Sequence, residues 1–157
     1  MGDRGARQRG SVLMLVPAGV LVLFVLGALA VDVAIAFLAR RELSSTAAAL
    51  ANDAATMALA EDRFYAENAA GAVEVDEGQA ADVVREALAA RAPSGVSDLR
   101  WSVRSADDQV CVTLTARVDY LFSRAVPGAA DSATVSGRAV ATAVKGGSPV
   151  RRSGVDC

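Results

Sequence analysis

The chain has no histidine, and its only cysteines are Cys111 and Cys157. Without an imidazole there is no base to activate a serine or cysteine nucleophile. Two distant sulfurs do not supply the four close ligands of a zinc site. No phosphate-cradling loop is present, because Gly146-Gly147 runs into Ser148-Pro149 rather than opening a helix after a strand. Clustered carboxylates occur at Glu61-Asp62 and Asp107-Asp108. Both read as a solvated helix end and a turn, and neither has a second group to drive its pKa values apart. The expectation is therefore a chain that is not an enzyme and uses no cofactor and no metal. Aromatic residues make up 4% of the sequence, so any domain has few large side chains to bury. A net charge of -2 gives no basic field for nucleic acid.

What the chain does have is an uncharged run from Gly10 to Val31, entered through Arg4, Arg7 and Arg9 and left through Asp32. A bilayer core of about 30 Å needs ~20 apolar residues in a helix, and Val12 to Val31 supplies them. The reading is a lipid-bilayer anchor: a basic cytoplasmic N-terminus over 1–10 and a transmembrane helix over 11–39. Three arginines before the run keep the N-terminus inside by the positive-inside rule, with Arg40 and Arg41 on the far flank weakening the bias. That rule places the N-terminus of a single-pass chain in the cytoplasm and its C-terminal part outside. The competing reading is a secretory signal peptide cleaved after Ala30 of Ala28-Leu29-Ala30, which would release a secreted or surface-exposed binding module. The length of the run, and its resumption from Val33 to Ala39, favour retention. Asp32, at the membrane exit, is expected as a solvated interfacial carboxylate rather than a buried partner of a neighbour's cation.

Neither proline nor glycine interrupts the chain between Asp32 and Gly71. Ala36, Ala39, Leu43, Ala47, Leu50, Ala54 and Met57 recur at spacings of three and four, the seam of a helix lying against another helix. This predicts an extended helical stalk over 40–70. A helix from Val12 to Ala60 would measure ~75 Å. The stripe either folds back on the chain's own domain or packs on copies and related subunits. So thin an alanine seam buries little area per residue, and the second reading is preferred here.

An extracytoplasmic domain is expected over 71–146, with a flexible tail over 147–157. Asp76-Glu77-Gly78-Gln79 reads as a helix start, with Asp76 as cap and Gln79 reaching back. Ala80, Val83, Val84, Ala87 and Leu88 form one face of an amphipathic helix that Pro93 and Gly95 end. Leu99, Trp101 and Val103 then alternate with polar residues, Asp107-Asp108 makes a turn, and alternation resumes from Val110 to Tyr120. A third strand near Ala133 to Val144 alternates less cleanly, with Val135, Gly137, Ala139 and Ala141 on one side. The predicted fold is α+β: an N-terminal membrane helix extended into a stalk, then one amphipathic helix covering a three-stranded antiparallel sheet. Between strands two and three, Leu121-Phe122 and Ala125-Val126-Pro127-Gly128 form an apolar connection, read either as core packing or as a partner or membrane-surface contact. Cys111 falls on the solvent face. It and Cys157 either form a disulfide that pins the tail or remain unlinked thiols.

From the N-terminus the chain runs through Gly10-Ser11-Val12, the apolar span, Val31-Asp32-Val33, Ala39-Arg40-Arg41-Glu42-Leu43 and Asn52-Asp53-Ala54-Ala55 through Ala58-Leu59-Ala60. This order of features resembles the Tad pilus-assembly proteins of the TadE and TadG type. What the resemblance implies is a pilin-like or assembly subunit of a Flp-type tight-adherence pilus, or of a related secretion system. Its partners would be other such subunits or further copies of itself. Processed prepilins carry a glutamate at the fifth mature residue, where this chain has Leu15. The expectation is accordingly an uncleaved, TadG-like anchor rather than a polymerising pilin.

Overall fold

In a computed structural model the described residues are 9–58, 75–143 and 157. The Glu61-Asp62 pair, the last part of the expected stalk at 59–70 and the tail over 147–156 lie outside them. So do Arg4 and Arg7 of the basic N-terminus.

Helix α1 runs unbroken over Arg9–Met57 and carries Pro17 within its first turns. Helix α2 spans Glu77–Ala90. The strands are β1, Ser97–Ala106, β2, Gln109–Asp119, and β3, Ser132–Thr142. They form one antiparallel sheet in the order β1-β2-β3, and a short 3-10 turn over Ser123–Ala125 lies in the connection between β2 and β3. The architecture is the expected α+β layout.

Local chemistry accounts for the boundaries. Asp76 caps α2, accepting from the Gln79 backbone N–H at 2.7 Å, which satisfies one of the free donors of the first turn. The β1–β2 hairpin turns through Asp107-Asp108, pairing Ala106 with Gln109, and Asp107 adopts φ 52. Aspartate is among the few residues that tolerate this left-handed conformation. The same turn ties the fold together: the Asp107 carbonyl accepts from Val75 N–H at 2.9 Å and the Asp108 carbonyl from Ala143 N–H at 2.7 Å.

The core lies between one sheet face and both helices. Val110, Val112, Leu114, Ala116 and Val118 of β2 point into it at period two, as expected of a half-buried strand. Above them sits α1, through Leu43, Ala47, Leu50, Ala51, Ala54 and Ala55, with Ala58 just past its end. Helix α2 adds Ala80, Val84 and Leu88, and its Arg85 lies over the Trp101 ring of β1, 6.0 Å from the centroid.

This arrangement corrects the expectation of a free stalk. The second half of α1 is the central helix of the domain, packed mainly on β2 and β3, while α2 sits toward β1. The contact buries more than the helix stripe alone supplies, because Val110, Val112, Leu114 and Val118 of β2 meet Leu43 and Leu50, and the alanines between them on α1 let the two backbones approach closely. At the closest point Gly137 of β3 lies under the helix backbone: a Cβ there would stand 2.4 Å from Leu43 C and Ser44 N.

Candidate functional site

From Leu15 to Val31 the apolar side chains of α1 are exposed on every side, and the helix is long and apolar enough to cross a membrane. Val33, Phe37 and Leu38 continue this exposed surface on one side. On the other side, Ile35, Ala36 and Ala39 already pack against the core. Asp32 stands at the junction, where a bare apolar helix becomes the spine of a folded domain.

Asp32 does not have the solvated environment expected of it. Its residue is 3% exposed, and it is the one buried charged residue among those described. The carboxylate reaches the connection after β2. Oδ1 accepts from the backbone N–H of Leu121 at 2.8 Å and of Phe122 at 3.1 Å. Oδ2 accepts from the Ser123 N–H at 2.7 Å and the Ser123 hydroxyl at 2.6 Å. A carboxylate is an acceptor at both oxygens, so four donors and no competing acceptor match it. Such charge-assisted bonds are shorter and stronger than neutral ones. The cost of removing a charge from water is offset here by backbone dipoles instead of by a counter-ion.

The rest of the connection is closed by its own backbone. Tyr120 N–H donates to the Asp131 carbonyl at 2.8 Å, Val126 N–H to Ser123 at 3.1 Å and Ala129 N–H to Val126 at 3.1 Å. Gly128 takes φ 83, the left-handed region where a side chain is disfavoured. With the backbone turned inward, Leu121, Phe122 and Val126 are left exposed. Phe122 lies alongside α1 and with Phe24, Ala28 and Val31 lines an apolar groove of ≈ 560 Å³. The core-packing reading of this connection is corrected: its large side chains face outward, because Asp32 anchors the backbone and not the side chains.

Of the expected seam, Leu43, Ala47, Leu50 and Ala54 are buried within the chain itself, and Ala36 and Ala39 are partly buried beside them. Met57 is 71% exposed and falls off the seam at the end of α1. A preference for packing between copies through this stripe is therefore corrected: the sheet already occupies it.

Cys111 and Cys157 are joined in a disulfide with Cα atoms 5.9 Å apart, within the usual range. Cys111 lies on the outer sheet face, as expected, yet is only 3% exposed. Arg138, on the neighbouring strand, donates to the Cys157 carbonyl at 2.6 Å. Cys157 is thus tied to the sheet at two points. Among the described residues no three of His, Cys, Asp and Glu gather in a way that could hold a metal ion.

The chain matches no family model, no curated protein and no solved structure.

Sequence reasoning singled out Asp32 and the apolar connection separately and missed that they are one site. Leu121, Phe122 and Ser123 lie 89 to 91 positions away along the chain. The available signal was the stretch between Asp119 and Asp131, where Arg124 is the only charged residue. A polar-poor loop needs some partner for its backbone donors.

Proposed function

We propose that this chain is a noncatalytic, membrane-anchored subunit of a Tad-type pilus or a related secretion assembly. Its N-terminus lies inside and its α+β domain outside the cytoplasmic membrane. The observation that carries the reading is the continuity of α1: one helix is lipid-compatible on all sides over 15–31 and is the core of a small head from Ile35 onward. An anchor fused in this way to a head suits a subunit that works by packing and position.

Two further features support it. The arginines at Arg4, Arg7 and Arg9 precede the span, which favours an inside N-terminus. The Cys111–Cys157 disulfide belongs to the head, and such bonds persist in oxidising compartments. The seam on α1 is filled by the sheet, so contacts with neighbouring subunits fall to the exposed span and to the outer surfaces of the head. The TadE and TadG resemblance supplies the kind of assembly.

The test is the state of the protein in its native membrane. Intact mass and N-terminal sequencing on the carbonate-resistant fraction should find a chain that keeps the span. Crosslinking within the membrane should then capture pilus-assembly subunits or further copies. A soluble chain starting at Val31 would refute the anchor and leave a released binding module. A retained chain without such partners would refute the assembly role alone.

A further inference from the structure

We infer that the β2–β3 connection is a second membrane contact, a wedge whose Leu121, Phe122 and Val126 enter the outer leaflet beside the span. This rests on the reading of α1 as a bilayer anchor. The occupant of the apolar patch is lipid.

Three observations carry it. The first is position. Asp32 immediately follows the all-round apolar run, and it holds the backbone of Leu121, Phe122 and Ser123. Phe122 then lies on the span side of Asp32, beside Phe24, Ala28 and Val31. Ala28 is about one helical turn, roughly 6 Å, nearer the bilayer centre than Asp32. The patch on the connection is therefore continuous with the surface of the anchor and at the depth of its outer end.

The second is backbone satisfaction. In hydrocarbon every exposed N–H must find a partner within the protein. The three residues whose side chains enter the leaflet have their donors satisfied: Leu121 and Phe122 give theirs to Asp32 and Val126 gives its own to the Ser123 carbonyl. Pro127 has no donor.

The third is the side-chain pattern. Leu121 is 63%, Phe122 44% and Val126 56% exposed, on a connection where Arg124 is the only charged residue between Asp119 and Asp131. Apolar residues beside a single long cation are what an interfacial segment uses: the apolar part enters the acyl region while the guanidinium stays with the headgroups.

The experiment places a tryptophan at single sites of the full chain, in a W101F background, reconstituted in phosphatidylcholine vesicles with or without acyl-chain bromines. F122W and V126W change exposed positions, so the fold tolerates them, and F24W reports on the span itself. The expected result is that F122W and V126W lose roughly half of their emission to brominated lipid, as groups ~5–10 Å below the interface. F24W should be quenched as well, and Trp101 of the unmodified chain, on the sheet, should not. F24W quenched with F122W and V126W unaffected would overturn the wedge and leave the anchor standing. F24W unaffected would overturn the anchor and the wedge with it. Shielding of F122W confined to high protein-to-lipid ratios would assign the patch to a second copy instead.

Discussion

Gly137→Ala tests the packing of α1 on the sheet at its tightest point. In an ordinary strand this change is favourable by about 0.5–1 kcal/mol, because glycine loses more freedom on folding. Here the added Cβ would lie 2.4 Å from Leu43 C, 2.4 Å from Ser44 N and 2.6 Å from Leu43 O. Comfortable contact is about 3.5–4.0 Å, so helix and strand must separate by roughly 1 Å. All three obstacles are backbone atoms, which no rotamer change can move. Overpacking typically costs 1–3 kcal/mol, and this site belongs at or above the upper end, for a net loss of about 2–3 kcal/mol. In a small domain that corresponds to a fall in Tm on the order of 10–20 °C. Urea unfolding of the full chain in detergent, followed by Trp101 emission, measures it as a shift in midpoint at unchanged slope. Ser136→Ala, at the exposed neighbouring position, should stay within about 0.5 kcal/mol of the parent and serves as control. A G137A chain as stable as the parent would show that α1 does not rest on β3 as described.

Other expectations follow from the same packing. Leu43→Ala removes a fully buried side chain and should cost about 2–5 kcal/mol. Met57→Ala, at 71% exposure, should change stability by less than about 0.5 kcal/mol; the reverse order would restore an external seam. Cys111→Ser opens a link of sequence separation 46 and should lower stability by about 2–4 kcal/mol, read as a denaturation midpoint under non-reducing conditions. Asp32→Ala strands three backbone donors and a hydroxyl. It should lower Tm on the order of 10 °C and expose the β2–β3 connection to proteolysis. Asp32→Asn should fall between, because its amide keeps one acceptor but turns a donor toward Ser123. If D32A chains match the parent in both Tm and cleavage, the carboxylate does not organise the connection.

The elements were legible where a single segment carries its own pattern. Alternation through Val110, Val112 and Leu114 gave the hairpin, and Asp76 with Gln79 gave the start of α2. The third strand was found near its observed Ser132–Thr142 range, although Gly137 blurred it. That glycine looked like a weak position because the helix that requires it lies far back in the sequence. Tertiary pairing was the part that local pattern could not supply. An alanine stripe is compatible with a partner helix or with a sheet, and the choice depends on side chains contributed by β2 and β3. Asp32 is the sharpest case. Beside an apolar run an aspartate reads as a solvated end, and only the folded connection brings donors to it.

Between Asp32 and Met57 helix α1 contains neither glycine nor proline, so no swivel separates the exposed apolar segment from the head. The helix is a shaft. If the apolar end is held in a bilayer as proposed, a twist imposed on it turns the sheet through the same angle, and a load on the head is delivered back along the helix as torque and tilt. The compass bearing of the outer sheet face, with its disulfide and its arginines, is thus decided by whatever holds the apolar end of α1.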